Sequence, residues 1–227
     1  MNPSISPAFG HIRDWIFDLD NCLYPASTGL FALIDERMGA YIQRLLDCDA
    51  GEAKRVQKAH FHEHGTTLAG LMKTHAVDPH HFLDEVHAIP LDRVRADDAL
   101  AAALARLPGR RFVFTNGDAP YARRVLEAIG VAKQFDELHD IHASELRPKP
   151  DPHGYALLCE RFGIDPAHAL LVDDMAANLL PAKALGMTTV WVDNGSERGS
   201  HGADESFIDY RIGNVAEWLE SILEDKS

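Results

Sequence analysis

The feature that most limits the fold is a regular alternation, from residue 110 onward, of short apolar runs with segments of helical periodicity. The apolar runs have strand length and are bounded by glycines, prolines and polar residues. The predicted strands are RFVFTN (111–116), ELHDIHA (137–143), ALLVDD (169–174) and TTVWVD (188–193), and the predicted helices between them span 119–129, 152–162 and 176–185. Strands and helices that alternate in this way form a parallel sheet with helices on both faces, so we expect an α/β protein.

The two ends of the chain extend this pattern. The remaining predicted elements of this part are a first strand at 12–18, a loop at 194–206, a short final strand at 207–212 and a last helix at 214–224. The last helix is predicted because Asn214 and Glu217 have the spacing of a capping box.

Between the first strand and residue 108, only helical periodicity is present. Helices are predicted over 28–47, 51–64, 66–76, 79–88 and 97–107. So long a helical stretch is not a simple connection within a compact sheet domain. We therefore predict an α/β core formed by 1–21 and 96–227, with an inserted all-helical module at 22–95.

The charge balance narrows the class of partner. The 227-residue chain has 35 acidic and 22 basic residues, which gives a formal net charge of −13. Such a protein is a poor match for nucleic acid or an anionic membrane, although a local site can still bind a small anion. The three cysteines have no metal-binding spacing, and we find neither a membrane-length apolar run nor a signal peptide. A cytoplasmic location is expected.

Acidic residues lie where two predicted strands end. Asp18 and Asp20 follow the first strand, and Asp173 and Asp174 close ALLVDD. Each alone has an ordinary interpretation as a solvated turn residue. Because the carboxyl ends of parallel strands meet at one edge of the sheet, the four carboxylates are expected to converge and to need a cation or hydrogen-bond donors that offset their repulsion. A set of oxygen ligands is typical of Mg²⁺.

Other groups expected at this edge have affinity for phosphate. Thr115 contributes a hydroxyl, and the amides of Asn116 and Gly117 can point at an anion. Lys149 adds a positive charge and lies between two prolines, which restrict its backbone. A metal, a lysine, a hydroxyl and backbone amides together indicate a phosphoryl site.

This ordered set of motifs resembles the haloacid dehalogenase superfamily of aspartate-nucleophile phosphatases, from about residue 12 to 212. The stretches DLDNCLYP, LFALIDERMGAYI, VFTNG, RPKPDP and VDDMAANL are similar, more narrowly, to its pyrimidine 5′-nucleotidase branch. The resemblance implies a Rossmann-like parallel sheet with an all-helical cap inserted after the first strand.

The resemblance also implies a role for each motif residue. Asp18 is expected to attack phosphorus and become an aspartyl phosphate, and Asp20 to act as general acid and then general base. The implied Mg²⁺ ligands are Asp18, Asp20 through its backbone carbonyl, Asp174 and Asp173, with Asn178 behind them. The implied phosphate-binding residues are Thr115, Asn116, Gly117 and Lys149. An acid at position 20 indicates phosphate chemistry, because the dehalogenase and phosphonatase branches lack it.

The helical insertion would correspond to the cap that closes over the site and contacts the leaving group. Tyr24, Thr28 and Phe31 lie at its start and are candidates for the substrate pocket, and Tyr24 or Phe61 could stack on a base. Packing in the core is the alternative for each of them.

Seven of the thirteen histidines lie between residues 60 and 87. His60 and His64 have a spacing that can bind zinc, but the order of the motif differs from the usual one and no third ligand is implied. We expect a solvated cap face, with adventitious metal binding or a contact to a nucleotide as alternatives. Cys22 stands where the family usually has threonine, and we interpret it as a structural substitution rather than a nucleophile.

The function expected from these motifs is Mg²⁺-dependent hydrolysis of a nucleoside 5′-monophosphate, UMP or CMP, through an aspartyl phosphate. One alternative is a phosphatase for another small ester, such as a sugar phosphate or phosphoglycolate. Another is a non-enzymatic phospho-acceptor or binding protein, which the order of the motifs disfavours. The expected partner is a small phosphorylated metabolite, and the oligomeric state is left open.

Overall fold

The computed structural model describes residues 4–224 and contains the parallel sheet that the alternation predicts. The strands are β1 (Ser4–Ile5), β2 (Asp14–Phe17), β3 (Arg110–Phe114), β4 (Glu137–His139), β5 (Ala169–Asp173), β6 (Thr188–Val192), β7 (Tyr210–Ile212) and β8 (Leu223–Glu224). Strands β2 to β7 form one sheet in the order β4-β3-β2-β5-β6-β7, and every neighbouring pair is parallel. The predicted α/β fold is confirmed.

Strand β2 lies in the middle of the sheet because its side chains are apolar in both directions. Trp15, Ile16 and Phe17 have no exposed surface. Successive strand side chains point to opposite faces, so Trp15 and Phe17 join one hydrophobic cluster while Ile16 joins the other. Burial on both faces anchors this strand, and with it the acidic segment that follows.

The helices fall into two groups. The helices are α1 (Leu30–Leu46), α2 (Ala50–His64), α3 (Thr67–His75), α4 (Pro79–Val86), α5 (Asp98–Arg106), α6 (Ala119–Ala128), α7 (Pro152–Phe162), α8 (Ala176–Leu185), α9 (Glu197–Ser200) and α10 (Val215–Ile222). Helices α1 to α4 follow one another after β2, and the later helices alternate with the strands of the sheet. Across residues 4–224, none of the helices combines the length and the apolar character needed to cross a membrane.

Helices α1 to α4 pack on one another and occupy the region for which an inserted module is predicted. Their buried side chains belong to the hydrophobic cluster that also contains Trp15 and Phe17. After α4 the chain returns to the sheet beside α6, where Arg124 donates from Nη1 to the carbonyl of His87 (3.1 Å) and from Nη2 to that of Ile89 (2.7 Å). The domain boundaries at 21/22 and 95/96 stay a prediction.

Three local features differ from the sequence predictions. The predicted loop 194–206 contains the short helix α9, whose start is stabilised by a hydrogen bond of 2.9 Å from the Gly199 amide to Ser196 Oγ. The predicted strand 137–143 ends at His139, because the Asp140 side chain accepts the amides of Ala119 and Ala143 and turns the chain (both 2.9 Å). The last strand, predicted from residue 207, begins only at Tyr210, after Asp209 has bonded to Thr189.

A buried histidine in β4 gives the fold a measurable pH dependence. His139 is fully buried against Phe114 and Phe162, and neither ring nitrogen has a hydrogen-bond partner among residues 4–224. Burial lowers the pKa of His139 to about 4, and Arg161 contributes in the same direction. The unfolded chain takes up this proton near pH 6.5, so stability is full above that pH and falls as the pH drops towards 4, by up to about 3 kcal/mol.

We expect His139→Leu to remove this loss, because leucine fills the apolar site and carries no group to protonate. Urea unfolding at about pH 7.5 and about pH 5 should show a smaller drop in unfolding free energy for His139→Leu than for the wild type. The exposed His11, changed to leucine in the same way, serves as the control and should keep the wild-type drop. An unchanged drop in His139→Leu would show that other groups cause the acid sensitivity.

Candidate active site

The carboxyl ends of three neighbouring strands bring the predicted site residues together. Asp18 follows β2, Thr115 follows β3 and Asp173 ends β5. Because β2 lies between β3 and β5, these side chains start from adjacent positions at one edge of the sheet. The Asp18 amide donates to the Val172 carbonyl (2.8 Å), which continues the β2–β5 pairing up to the site.

Lys149 is the centre of this cluster. Its Nζ donates to Asp18 Oδ1 (2.7 Å), to Asp173 Oδ2 (2.6 Å) and to the Phe114 carbonyl (2.8 Å), so all three ammonium hydrogens are used. Its side chain is only 1% exposed. The lysine lies on the loop before α7 and reaches across the ends of β2, β3 and β5. Its two ion pairs and its hydrogen bond to a backbone carbonyl link the three strand ends.

The cluster contains more negative than positive charge. Burial by itself would lower the pKa of Lys149, but the carboxylates of Asp173 and Asp18 outweigh it and raise that pKa. Burial raises the pKa of Asp18 well above its ordinary range, against the opposing effect of Lys149. Burial and the neighbouring Asp173 raise the pKa of Asp174 to about 7. One ammonium therefore does not offset three buried carboxylates. The site keeps an excess of negative charge, which a further cation would neutralise.

Three carboxylates are arranged so that they fit a metal ion. Asp18, Asp173 and Asp174 are buried, and each places an oxygen within 4.8 Å of the others. Such an all-oxygen, acidic donor set matches the chemistry of Mg²⁺. Asp173 Oδ1 accepts from Asn178 Nδ2 and from the Met175 amide (both 2.9 Å), so Asn178 lies behind the acids, in the place expected for it.

Asp174 has a partner that the sequence did not indicate. Asn194 Nδ2 donates to Asp174 Oδ2 (3.1 Å), from the loop after β6. Asn194 follows Asp193 just beyond the end of β6, so the rule that ligands gather at strand ends could have pointed to it. Its polar, Gly/Ser-rich surroundings predict only a loop.

The side chain of Asp20 is held apart from the cluster of Asp18, Asp173 and Asp174. Its Oδ1 accepts hydrogen bonds from the hydroxyls of Tyr24 (2.6 Å) and Tyr121 (2.7 Å). Leu19, between the two acids, is fully buried, so Asp18 and Asp20 both face the site while Leu19 points into the core. Tyr24, expected in the substrate pocket, contacts an acid instead, and Tyr121 was missed because no local pattern links it to Asp20.

The expected phosphate-binding residues do not all face open space. Asn116 uses its side chain to hold the lysine loop, since Oδ1 accepts the Lys149 amide (2.7 Å) and Nδ2 donates to the Lys149 carbonyl (3.2 Å). The Gly117 amide donates to Thr115 Oγ1 (3.0 Å), whereas we expected it to point at an anion. Thr115, Asn116, Gly117 and Lys149 nevertheless all line the same cavity.

A cavity of about 230 Å³ extends from these residues into the helical segment. Its walls include Phe31, Phe61, Phe82 and Leu83, and Thr66 and Thr67 add hydroxyls. Of the three candidates for the substrate pocket, Phe31 lines this cavity, whereas Tyr24 and Thr28 do not. Apart from Asp18, Asp20, Lys149 and Asp174, no lysine, arginine, aspartate or glutamate of the described chain lines it.

Two further expectations concern histidine and cysteine. His60 is buried, not solvated, because its ring packs on Gly70, and its two nitrogens lack partners within residues 4–224. His60 and His64 are stacked with ring centroids 5.9 Å apart. Cys22 is buried, and burial together with Asp18 raises the pKa of its thiol well above the ordinary value, which agrees with a structural role.

Comparison with known proteins gives the chain a family. The model of the haloacid dehalogenase-like hydrolases matches residues 15–186. Phosphate metabolism protein 8 of Saccharomyces cerevisiae is 28% identical over 191 residues, which is 76% of this chain and 59% of that protein. A phosphoglycolate phosphatase of Rhodospirillum rubrum is 32% identical over 126 residues, 53% of this chain and 50% of that enzyme. The chain thus spans between half and two thirds of the length of these two relatives.

Solved structures share the fold at low sequence identity. A haloacid dehalogenase-type phosphatase from Thermococcus onnurineus aligns with a TM-score of 0.62 and 19% identity, over 92% of this chain and 97% of its own. The L-2-haloacid dehalogenase of Xanthobacter autotrophicus aligns with a TM-score of 0.58 and 20% identity, with the same coverage. The family match extends over more than half of the sequence, from β2 through α8, and includes every strand end that carries the acidic cluster. The chain belongs to the haloacid dehalogenase-like hydrolases.

Proposed function

We propose that this hydrolase is a Mg²⁺-dependent phosphatase for a nucleoside 5′-monophosphate, UMP or CMP, acting through an aspartyl phosphate. The observation that carries the proposal is Asp18, a buried carboxylate at one end of the cavity with Lys149 on one side and Asp20 two residues on. Such a carboxylate can act as a nucleophile towards phosphorus, and Asp20 is free to transfer protons.

In the first step, an oxygen of Asp18 attacks phosphorus while the bond from phosphorus to the ester oxygen breaks. Asp20 gives its proton to that leaving oxygen, so the alcohol departs neutral. Lys149 orients Asp18 through its 2.7 Å hydrogen bond, and the hydroxyl of Thr115, which lines the cavity, can donate to the transferring phosphoryl group. In the second step, Asp20 takes a proton from water, the water oxygen attacks phosphorus, and Asp18 is released with inorganic phosphate.

The residues proposed to hold the metal are Asp18, Asp173 and Asp174, with the backbone carbonyl of Asp20. When bound, Mg²⁺ supplies positive charge that neutralises the phosphoryl oxygens. Asn178 and Asn194 orient Asp173 and Asp174 by hydrogen bonds of 2.9 and 3.1 Å, and so keep the carboxylates in place.

The walls of the cavity favour a nucleoside over glycolate as the leaving group. Relatives include phosphoglycolate phosphatases, whose substrate carries a second anion. The part of this cavity formed by the helical segment presents aromatic and aliphatic side chains and a few hydroxyls, so a carboxylate there would be desolvated without a lysine or arginine partner. A volume of about 230 Å³ is below the roughly 300–1,000 Å³ of drug-sized sites, which favours the smaller pyrimidine bases.

A phosphatase for another small ester is the second candidate, and the names of the relatives favour it. A phospho-acceptor without turnover is the third, and it would form the same aspartyl phosphate. The three free cysteines agree with the cytoplasmic location that we include in the proposal.

A substrate panel tests this proposal. We expect kcat/KM for UMP or CMP to exceed that for phosphoglycolate at least about tenfold, because the glycolate carboxylate would lie against largely apolar walls without a lysine or arginine partner. The purified protein is assayed for phosphate release with both pyrimidine nucleotides, two purine nucleotides, phosphoglycolate and a hexose phosphate. A chelator should abolish the activity, and added Mg²⁺ should restore it.

Each other outcome removes one candidate. Preference for phosphoglycolate or a hexose phosphate would reject the nucleotide assignment and keep the phosphatase. Release of phosphate from none of the esters would reject the phosphatase. Phosphorylation of the protein by a small phosphodonor, without further turnover, would establish the acceptor.

A further inference from the structure

Two tyrosines from distant parts of the chain meet on one oxygen of Asp20. Tyr24 lies in the loop after β2, and Tyr121 lies in the first turn of α6. Both hydroxyls donate to Asp20 Oδ1, at 2.6 and 2.7 Å, and both rings are buried, with 2% and 1% of their surface exposed. Both distances lie within the usual range of O–H···O hydrogen bonds.

The arrangement fixes the direction of the Asp20 carboxylate. Two donors occupy the two lone pairs of Oδ1, so this oxygen is saturated. Oδ2 has no hydrogen-bond partner within residues 4–224, and Asp20 lines the cavity. The carboxylate is therefore held with one oxygen anchored and the other available to a ligand.

Tyr121 is itself held by the end of the helical segment. The ring of His87, which directly follows α4, stacks on the Tyr121 ring with centroids 4.3 Å apart and an interplanar angle of 16°. His87 Nδ1 also pairs with Asp118 Oδ1 at 2.7 Å, at the start of α6. Arg124 holds the carbonyl of His87 from the next turn of α6. A hydrogen bond and ring stacking therefore link Asp20, through Tyr121 and His87, to the end of the helical segment α1 to α4.

We propose that Tyr24 and Tyr121 are positioning residues that aim Asp20 at the oxygen of the leaving group. The inference rests on the proposed function, in which Asp20 is the general acid and base. Neither tyrosine lines the cavity, and both hydroxyls donate to Asp20 Oδ1. Their effect is to keep Oδ2 in one place instead of letting the carboxylate rotate.

The proposal predicts a dependence on the leaving group. An alkyl phosphate needs a proton on its departing oxygen, whereas p-nitrophenolate leaves without one. Because kcat/KM reports the steps up to formation of the aspartyl phosphate, a misplaced Asp20 lowers it for the alkyl ester and leaves it nearly unchanged for p-nitrophenyl phosphate. A general loss of packing would lower both alike.

The experiment compares Tyr24→Phe, Tyr121→Phe and the double variant with the wild type. The substrates are the best nucleotide of the panel, or its best alkyl ester, and p-nitrophenyl phosphate. We expect kcat/KM for the alkyl ester to fall about 10-fold in each single variant and about 100-fold in the double, with less than about a threefold change for the aryl ester. Tyr41→Phe is the matched control, since its hydroxyl contacts His81 in the helical segment and lies away from Asp20.

Two further measurements separate positioning from structure. Thermal melting shows whether the variants fold. Titration calorimetry with Mg²⁺ should give the wild-type affinity, because the tyrosines contact the side chain of Asp20, whereas the proposed ligands are its backbone carbonyl and three other carboxylates. Equal losses on both esters, or no loss on the alkyl ester, would overturn the inference while the phosphatase stands. A wild type that hydrolyses neither ester would overturn the proposed function itself, and this inference with it.

Discussion

Replacing Asp18 by asparagine is expected to lower phosphatase turnover by more than about 10⁴-fold, because a carboxamide cannot attack phosphorus as a carboxylate does. The fold should survive the change. Burial raises the pKa of Asp18 well above its ordinary value, so the folded protein loses little when this position is made neutral. Phosphate release with the best substrate of the panel measures the loss, and thermal melting without metal should show an unchanged or higher midpoint.

Asp14 provides the matched control, at the opposite end of the same strand. It is buried like Asp18, and it pairs with Arg110 at 2.7 Å instead of facing the cavity. Asp14→Asn should retain activity and lower the melting temperature, which is the reverse of the pattern expected for Asp18→Asn. Substantial activity in Asp18→Asn would exclude the aspartyl-phosphate route.

Replacing Lys149 by methionine is expected to damage both stability and turnover. Methionine keeps the length of the side chain but leaves Asp18 and Asp173 buried without their partner, and breaking a buried ion pair costs about 3–5 kcal/mol. Loss of the orienting charge should also lower turnover about 10²- to 10³-fold. Urea unfolding and phosphate release measure the two effects.

The raised pKa of Lys149 determines how the stability deficit of Lys149→Met changes with pH. The pKa of Lys149 is raised in the folded protein, so its contribution to stability is complete below the pKa of an unfolded lysine and is lost only as the pH rises through the folded value. The deficit of Lys149→Met should therefore be full at neutral pH and shrink only at strongly alkaline pH, where the lysine of the wild type loses its proton. Lys183→Met is the control, because Lys183 and Asp209 form a half-exposed pair at 2.6 Å that is worth at most about 1 kcal/mol. A neutral pH deficit no larger than that of the control would show that Lys149 does not hold the cluster together.

The architecture could be predicted because its signals are local. Strands β2 and β5 are continuous apolar runs, and the helices between strands carry their own caps and stops, so each element is specified by neighbouring residues. The pairing of β1 with β8 has no such signal. Each has two residues and is formed only because the ends of the chain meet. Helix α9 was missed for a related reason, since a polar, glycine-rich segment resembles a loop until Ser196 caps it.

The candidate site also has features that local sequence predicts and features that depend on contacts between distant segments. The order of residues along the chain indicates which acids follow the strands, and the rule that parallel strands end at one edge is enough to expect Asp18, Thr115, Asp173 and Asp174 together. The groups that these acids contact depend on the folded chain. Tyr121 reaches Asp20 across 101 residues of chain, and Lys149 reaches Asp18 across 131. Burial also depends on distant contacts. His60 and His139 are polar residues, and they are buried because other segments of the chain pack over them. Periodicity and caps act within a few residues, whereas hydrogen-bond partners, charge balance and cavity walls depend on contacts between segments that only the folded chain brings together.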